Sequence, residues 1–407
     1  MKKPETPRDA KPRMKIVHCC LANYFVDGYG YQENILTRVH SEMGLDVTVV
    51  ASTETIVDNK KIGYVEPSTY ENENGISIIR LPYTKKLPHV LSRKLRIYKG
   101  VYITLIHEKP DILFVHDCNF LGVLDIVKYM KNYPEARLYV DSHTDYVNSG
   151  RSWISMTILH KLIYRYCAQV VLPYTRKFYG TLPQRIDFYR DVYYIPADKL
   201  SLLVMGADDK YIDFSKKNDI RRNIRKKYNI DETAITLVTG GKIEPGKNIF
   251  ALIEAFKLLK KELDFSKNIN LIIFGTAIDE LKEQFESSTT DTGFVITGWI
   301  KPEDVYDLYF ASDIAVFPGA HSVLWEQAIG CGLPCVFRRW DGIEHVDIGG
   351  NCVLLNECDT NSLKNCLAEL LTNTDSYNQL KHKAETLGPE HFSYKKIARR
   401  AIEYADV

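Results

Sequence analysis

Two lysines in the second half of the chain have the type and spacing that bind a diphosphate. The segment GGKIEPGKN places Lys242 and Lys247 on one turn, directly after an apolar run that ends in Gly240-Gly241. Two ammonium groups beside a helix N-terminus can bind a diphosphate and stabilise the charge on a departing nucleotide diphosphate without a metal ion. The alternative is that both lysines are solvated on the surface, where most lysines lie.

A single carboxylate, Glu326, lies in the otherwise apolar start of a helix within the segment HSVLWEQAIGCGLPCVF. A carboxylate in a binding site can accept hydrogen bonds from both hydroxyl groups of a ribose. The alternative is an ordinary solvated glutamate on a helix. Together with the two lysines, Glu326 predicts a nucleotide site in this half of the chain.

Polar residues also follow a predicted strand in the first half. The segment RLYVDSHTD brings His143 and Asp145 to the end of that strand. A histidine there can contact a sugar hydroxyl or a phosphate, or transfer a proton. His116 follows the apolar run ILFV in the same way, and His116 and Asp145 are candidates for the acceptor side of a site. Each histidine can also be purely structural.

Short β-branched runs alternate with helical patterns in both halves, which predicts parallel sheets with crossover helices. In the first half, strands are predicted at Met14–Leu21, Asp46–Ala51, Ile112–Val115, Arg137–Val140 and Gln169–Leu172. In the second half, they are predicted at ITLVTG, NLIIFG, FVIT, DIAVF and PCVF. Each half is therefore predicted to be a doubly wound α/β domain.

In such sheets ligands bind beyond the carboxyl ends of the strands, where glycine lets backbone amides approach a phosphate. The candidate donor-binding residues at these turns are Gly28, Gly241, Gly275, Trp299 and Ile300. The pattern GxGxxG is absent after the first strand, which argues against a dinucleotide dehydrogenase. No pattern typical of a divalent-metal site, a P-loop or a serine hydrolase occurs.

The composition limits the classes of function. The chain has 407 residues, enough for two domains, and a formal net charge of +1, so a broad electrostatic surface for nucleic acid is not expected. No apolar run is long enough to cross a membrane, and the charged first residues lack the apolar part of a secretory signal. The nine scattered cysteines are typical of a reducing compartment. These features predict a cytoplasmic protein.

The domain boundaries follow from these patterns. We predict a disordered lead-in over residues 1–13, an acceptor-binding domain over 14–205, a nucleotide-sugar domain over 206–385 and a C-terminal helix over 386–407 that packs back toward the first domain. Within the first domain, Ser92–Ile106 has the pattern of one amphipathic helix. Its basic residues Arg93, Lys94, Arg96 and Lys99 suit an anionic membrane surface at the inner face of the cell membrane, unless the helix is an ordinary packed one.

Taken together, these motifs resemble the family-4 retaining glycosyltransferases of GT-B architecture, over most of the chain. The segment GGKIEPGKNIFALIEAF resembles that family's phosphate-binding turn, so Lys242 and Lys247 would take the places of its basic pair. MGADDKYIDF resembles the family's linker. HSVLWEQAIGCGLPCVF resembles the carboxylate helix, in which the second glutamate of an E-x7-E motif holds the ribose. DSHTD resembles the strand end that brings a histidine to the donor sugar.

The resemblance implies two Rossmann-like domains that face each other across a cleft. It also implies transfer of a sugar from a nucleoside-diphosphate sugar, here a UDP-sugar, with retention of anomeric configuration and without a metal or other cofactor. The acceptor would be a glycan or a lipid-linked glycan in cell-surface polysaccharide synthesis. His143, Lys247 and Lys242 would be catalytic.

The chain departs from the family at the first glutamate of the E-x7-E motif, because Pro318 occupies that position and the loop is about four residues short. Contacts to the donor sugar would then come from backbone amides, His321, Ser322 or Val323. The polar segment RRWDGIEHVDIGGN, which contains His345, is expected near the same site.

Three alternative functions remain open at this point. A non-catalytic GT-B partner subunit would explain the missing glutamate. A nucleotide-sugar 2-epimerase would form product with no acceptor present, and a Rossmann oxidoreductase would carry a nicotinamide or flavin.

Overall fold

The computed structural model describes residues 13–57, 61–146, 149, 152–153, 155–262 and 268–404. The chain divides into two compact units, one made of Met1–Leu203 with Ala398–Val407 and the other of Val204–Ile397. This division falls two residues before the predicted boundary at 205/206. The predicted lead-in over 1–13 lies outside the described residues except for Arg13.

The first unit is built on one sheet of eight strands and a separate two-stranded ribbon. Its strands are β1 (Lys15–Cys20), β2 (Asp46–Ser52), β3 (Glu54–Val57), β4 (Lys61–Tyr64), β5 (Thr69–Glu71), β6 (Ser77–Leu81), β7 (Ile112–His116), β8 (Arg137–Ser142), β9 (Thr175–Gly180) and β10 (Leu200–Leu202). Its helices are α1 (Gln32–Glu42), α2 (His89–Leu95), α3 (Val101–Glu108), α4 (Val123–Asn132), α5 (Arg165–Val171) and α6 (Pro183–Tyr193), with a π-helical stretch over Ser155–Tyr164.

The strand order in this sheet is β10-β9-β8-β7-β1-β2-β6-β5, and every pair except β5–β6 is parallel. The strands read as continuous buried runs because helices cover both faces of such a sheet. The chain moves to one side of β1 for β2 and β6 and to the other side for β7 to β10. The ends of β1 and β7 therefore flank the point where the strand order reverses, which is where ligands bind in such sheets.

The prediction of a strand over Gln169–Leu172 is wrong. Residues 165–171 form α5, and the next strand of the sheet is β9. Cys167, Ala168 and Val171 are buried along one side of that helix. A short apolar run does not distinguish a buried helix from a buried strand, so only the packing decides between them.

The prediction of one amphipathic helix over Ser92–Ile106 is also wrong. α2 ends at Arg96, which has φ 52°, and α3 begins after Gly100, which has φ 97°. Left-handed residues end a helix, so the segment forms two short helices. The single apolar face required by the membrane hypothesis is therefore not formed.

The described residues of the second unit form one six-stranded sheet. Its strands are β11 (Ile235–Gly240), β12 (Ile269–Phe274), β13 (Phe294–Gly298), β14 (Ile314–Phe317), β15 (Cys335–Arg338) and β16 (Cys352–Leu355). Its helices are α7 (Lys217–Lys227), α8 (Ile249–Glu262), α9 (Asp279–Ser288), α10 (Val305–Ala311), α11 (Leu324–Gly330), α12 (Thr360–Thr372) and α13 (Thr374–Phe392), followed by α14 (Tyr394–Ala401), whose last residues belong to the first unit.

All strand pairs of this sheet are parallel, in the order β13-β12-β11-β14-β15-β16. This is the doubly wound order of a Rossmann fold, with its switch point between β11 and β14. The prediction of two doubly wound α/β domains is confirmed. The predicted start of a separate C-terminal segment at residue 386 falls inside α13, so the break in the chain instead comes at Ser393. The cleft between the halves stays a prediction.

Two further features bear on the environment of the protein. Among the described residues, we find no helix with the length and apolar character needed to cross a membrane. All nine cysteines are unpaired, and eight of them are buried. The expectation of buried free thiols rather than a disulfide framework is confirmed.

Candidate functional site

The turns at the switch point of the second unit are held together by backbone contacts that only glycine permits. A Cβ atom on Gly275 would lie 1.9 Å from the carbonyl oxygen of Gly241, and one on Gly319 would lie 2.3 Å from the carbonyl carbon of Lys247. The backbone amide of Ala320 donates to the carbonyl of Gly246 over 2.8 Å. The turns that follow β11, β12 and β14 therefore form one continuous edge.

Lys247 lies at the centre of this edge. Its Nζ donates to the carbonyl oxygens of Ala320 at 2.9 Å and His321 at 3.3 Å. Burial lowers the pKa of Lys247, so the side chain is not a solvated surface lysine. An ammonium group has three donors, and two of them are used here. The third remains for an anion at the switch point.

Lys242 has a different environment on the same turn. Its side chain is 66% exposed, and its Nζ pairs with Glu244 Oε2 over 3.1 Å. A surface pair of this kind contributes little to stability. The structure therefore brings Lys242 to the predicted edge without fixing it in place.

Glu326 is fully buried, which excludes a solvated helix glutamate. Its Oε1 accepts from His321 Nε2 at 2.7 Å and from His345 Nε2 at 3.0 Å. Burial alone would raise the pKa of the carboxyl group, but His321 and then His345 outweigh it and hold the pKa at about 2. The other carboxylate oxygen, Oε2, is buried and has no hydrogen-bond partner. That atom is the acceptor to which a donor group of a ligand would bind.

The same three side chains have the composition of a metal site. One ligand atom from each of His321, Glu326 and His345 lies within 4.8 Å of the others. Two imidazoles and a carboxylate suit a divalent transition metal. The short His–Glu contacts are equally those of two N–H donors on one carboxylate oxygen.

The remaining predicted donor residues lie at the same edge. Trp299 follows β13 and is 68% exposed, so its indole face is open, and Ile300 beside it is half-buried. Ser322 and Val323 are half-buried, and their carbonyls accept the backbone amides of Trp325 and Gln327 at the start of α11.

The corresponding edge of the first unit is organised by Asp117, which has φ 63°. Its Oδ1 accepts from Ser142 Oγ at 2.6 Å and from Thr144 Oγ1 at 3.3 Å, and its Oδ2 accepts the backbone amide of His143 at 3.4 Å. The ring of His143 is half-buried. A left-handed non-glycine residue is strained and is frequent at functional sites. Asp117 therefore positions the turn that carries His143.

Asp145 is buried on the same turn and pairs with Arg185 Nε over 3.3 Å. Arg185 also donates to the hydroxyl of Thr181. This arrangement gives Asp145 a role in fixing the turn to the start of α6.

His116 is fully buried and both of its ring nitrogens are engaged, so it does not contact an acceptor. It belongs to a chain of buried hydrogen-bonded groups. His40 Nε2 lies 2.9 Å from the carbonyl oxygen of Ala398, and His40 Nδ1 lies 3.0 Å from His18 Nε2. His18 Nδ1 lies 3.0 Å from His116 Nε2, and His116 Nδ1 lies 3.0 Å from Asp141 Oδ2. The predicted acceptor contact of His116 is corrected to a structural role.

The hydrogen-bond directions fix the protons in this chain. A carbonyl only accepts, so His40 donates to Ala398 and must accept from His18, which in turn accepts from His116. One proton lies between His116 Nδ1 and Asp141 Oδ2. If His116 holds it, the pair is an imidazolium and a carboxylate, and if Asp141 holds it, both groups are neutral. Burial opposes both charges, but mutual attraction outweighs it, which raises the pKa of His116 and lowers that of Asp141. The charged pair is therefore favoured.

Gly28 lies on an exposed turn of the first unit with φ 74°. Its backbone amide donates to Glu73 Oε1 over 3.2 Å. In this conformation the amide is occupied by a carboxylate, which would repel a phosphate.

Several of these residues carried no signal in the sequence. His345 was expected near the site only because its segment is polar, and no role could be given to it. Arg185 pairs with Asp145, and His18 with His40 and His116, across at least 22 residues of chain, so no local spacing indicates these contacts.

Comparison with known proteins supports one class of protein. Residues 220–387 match the protein-family model described as Glycosyl transferases group 1, and this stretch lies inside the second unit and contains Lys242, Lys247 and Glu326. The two parallel-sheet units match the fold of GT-B glycosyltransferases. The fold and the partial family match together support a glycosyltransferase of GT-B architecture.

Two curated relatives are similar over part of the chain. A lipopolysaccharide 1,2-N-acetylglucosaminetransferase of Salmonella typhimurium is 23% identical over 224 residues, which cover 51% of this chain and 57% of that protein. The serotype-specific mannosyltransferase WbdA of Escherichia coli is 26% identical over 229 residues, or 54% of this chain and 27% of that protein. The chain spans less than two thirds of the length of these relatives.

Solved structures share the fold over nearly the whole chain. Anabaena Alr3699/HepE in complex with UDP superposes with a TM-score of 0.66 at 14% identity and covers 96% of this chain and 99% of that one. WaaG, a glycosyltransferase involved in lipopolysaccharide biosynthesis, superposes with a TM-score of 0.60 at 17% identity and covers 96% and 100%. At these identities the likeness establishes the fold alone.

Proposed function

We propose that this protein transfers a sugar from a UDP-sugar to a glycan or lipid-linked glycan acceptor, with retention of anomeric configuration and without a metal ion. The acceptor belongs to cell-surface polysaccharide synthesis, and the reaction takes place on the cytoplasmic side. The proposal goes further than the family match, which supports glycosyl transfer but not a particular donor, stereochemistry or acceptor.

One observation carries the proposal. At the switch point between β11 and β14, the partly buried cation of Lys247 lies on the turn after β11, and the buried carboxylate of Glu326 lies on α11, which follows β14. A cation suits the diphosphate of a nucleotide, and a carboxylate with one oxygen that has no hydrogen-bond partner suits ribose hydroxyls. Gly241 and Gly275 supply backbone without side chains at the same edge. This combination matches the chemistry of a nucleoside diphosphate.

The relatives support the choice of donor and acceptor. HepE was crystallised with UDP, and the Salmonella and Escherichia coli relatives are a lipopolysaccharide N-acetylglucosaminyltransferase and a serotype-specific mannosyltransferase. By analogy we assign a UDP-sugar donor and a surface polysaccharide acceptor. Trp299, with its open indole face, is the candidate to stack on the base.

The reaction would proceed by electrostatic positioning. The bond between the anomeric carbon and the diphosphate oxygen breaks, and Lys247 and Lys242 stabilise the charge left on the diphosphate. The acceptor hydroxyl attacks from the same face and gives its proton to that diphosphate, so no protein nucleophile is needed. His143, whose turn is held by Asp117, is proposed to take part in transfer, as the family resemblance implies.

A thermal-shift screen of UDP, GDP, ADP and CMP with their sugar conjugates, in EDTA, tests the donor site. A ligand that binds only the folded protein raises its melting temperature by mass action. We expect a shift with UDP and its conjugates that is lost in Lys247→Met. Equal shifts in wild type and variant, or a shift with a purine nucleotide instead, would refute the assignment.

The second candidate is a non-catalytic partner subunit. Two observations favour it: Pro318 stands where a glutamate would contact the donor sugar, and Glu326 Oε1 is already occupied by two histidines. This candidate predicts no shift with any nucleotide from a well-folded sample. It also predicts that Lys247→Met leaves the function intact in the complete assembly.

A further inference from the structure

The first unit contains a cavity of about 270 Å³ that the donor site does not use. It opens beside Leu21–Tyr24, the residues that directly follow β1, at the carboxyl edge of the sheet. Its charged lining consists of Arg93, Lys94, Arg96 and Glu54. Three cations and one carboxylate give the lining a formal net charge of +2.

The single carboxylate is neutralised within the cavity wall. Glu54 is buried and accepts from Arg93 Nε at 2.7 Å and from the hydroxyl of Tyr83 at 2.7 Å. Because Arg93 is committed to this ion pair, the surplus charge resides on Lys94 and Arg96. Neither of these two side chains pairs with an acid among the described residues. Their charge is therefore available to a ligand.

The backbone fixes the position of Arg96. Arg96 is the left-handed residue that ends α2, and its own carbonyl accepts the amide of Gly122 at 3.3 Å. Its guanidinium donates to the carbonyl of Asn119 at 3.1 Å. A guanidinium has five N–H donors, so this bond orients the group and leaves donors for an oxyanion. The break that separates α2 from α3 thus places a cation at the cavity.

One residue of the cavity wall contacts the strand-end cluster that carries His143. Asn23 lines the cavity, and its Nδ2 lies 3.4 Å from Asp117 Oδ2, the same atom that accepts the backbone amide of His143. Tyr24 lines the cavity too and is 38% exposed, so its ring face can pack against a sugar. A ligand in the cavity therefore lies next to the turn that we assign to the reaction.

We propose that this cavity is an anion subsite for the acceptor and binds a phosphate group that the acceptor glycan carries. The inference rests on the proposed function, since it names the class of acceptor. Two cations without acidic partners supply the affinity, and Tyr24 supplies a surface for the adjoining sugar. The volume lies near the lower end of ligand pockets, roughly 300–1,000 Å³, which suits one phosphorylated sugar unit.

The test compares Lys94→Gln/Arg96→Gln with Lys99→Gln. Lys99 is an exposed neighbour that does not line the cavity, so it is a matched control for general loss of positive charge. The probes are a hexose phosphate and inorganic phosphate, measured by calorimetry at low ionic strength. We expect wild type and Lys99→Gln to bind the hexose phosphate equally and the double variant to bind it at least about tenfold more weakly.

Binding of UDP to the second unit is measured on the same samples. Unchanged UDP binding in the double variant shows that its second unit is folded, and an unchanged melting curve shows that the first unit is folded as well. Lys94→Glu, which changes only one exposed side chain, should weaken binding of the hexose phosphate too. If wild type binds the hexose phosphate through Lys94 and Arg96 but binds no nucleotide, the subsite stands and the proposed function fails. If wild type binds UDP but the hexose phosphate binds equally to all variants, or to none, the subsite is refuted.

Vesicles of phosphatidylglycerol distinguish a membrane from an acceptor. If phosphatidylglycerol vesicles bind wild type and Lys99→Gln no better than phosphatidylcholine vesicles do, the cavity binds a phosphate on the glycan and not a membrane surface. If the phosphatidylglycerol vesicles bind wild type and lose the same affinity in Lys99→Gln as in Lys94→Gln/Arg96→Gln, the charges act as a general basic surface and the subsite is refuted.

Discussion

Replacing Lys247 with methionine separates its structural role from its chemical one. Methionine keeps the apolar stem but loses the ammonium group, which donates to Ala320 and His321. A hydrogen bond from a charged group contributes about 1.5–3 kcal/mol to stability. The two bonds of Lys247 together contribute less than twice that value, because burial opposes the charge and lowers the pKa of the lysine. We expect the free energy of unfolding to fall by about 2 kcal/mol, and the melting temperature of the second unit to fall by roughly 4–8 °C.

The effect on transfer should be larger. Removing one preorganised donor from a developing charge costs about 10²–10³ in rate. We therefore expect kcat/KM to fall by that factor at a temperature well below the melting point of the variant. Lys247→Arg keeps the charge and should recover part of the loss. The exposed lysine on α9 provides the control, since Lys282→Met should change neither stability nor kcat/KM.

The assay pairs melting curves from circular dichroism with initial rates measured with the donor found in the nucleotide screen. A lower melting temperature with wild-type kcat/KM would mean that Lys247 only supports the loop after β14. Wild-type values of both would refute the contacts themselves. Either result would remove Lys247 from the proposed mechanism.

Three further predictions follow from the buried ionisable groups. Glu326→Gln removes the charge facing His321 and His345, so UDP affinity should fall by roughly tenfold or more in calorimetry; unchanged affinity would show that the carboxylate does not hold the ribose. Burial, opposed by a hydrogen bond to Ala398, lowers the pKa of His40 to about 4, so the unfolded chain binds a proton between pH 6.5 and 4 that the folded protein does not. Stability should therefore fall as the pH is lowered through this range. Between pH 7 and 5, the free energy of unfolding of His40→Gln should fall by about 2 kcal/mol less than that of wild type in urea unfolding, and equal losses would contradict a neutral His40. EDTA should leave the rate of sugar transfer unchanged. If EDTA instead abolishes transfer, a divalent cation restores it, and His345→Gln prevents this restoration, a metal binds at His321, Glu326 and His345.

The sequence by itself determined the two-domain α/β architecture. Apolar β-branched runs that end in glycine and lead into helical patterns permit few alternatives, since parallel strands must be buried on both faces. It also located the turns that matter, because the carboxyl ends of parallel strands share one edge. Lys242, Lys247 and Glu326 were identified on this basis, and the structure places all three at that edge of the second unit.

Errors of the sequence prediction occurred where packing outweighs local pattern. The run Gln169–Leu172 is apolar and short, so its periodicity fits a buried helix or a buried strand equally well. The basic segment Ser92–Ile106 has helical spacing throughout, but Arg96 and Gly100 adopt left-handed conformations that nothing in the spacing predicts. That break moves two basic side chains from a predicted helix face to the wall of a cavity.

The chemistry of individual groups was decided only by the tertiary structure. Whether Glu326 is solvated or buried depends on His321 and His345, which reach it from two different loops. His116 looked like a site residue because it ends a strand, yet its neighbours His18 and Asp141 come from two other strands and enclose it. Sequence spacing gives the edge of the sheet to which a side chain belongs, whereas its burial, charge state and partners arise from contacts between residues distant in the chain.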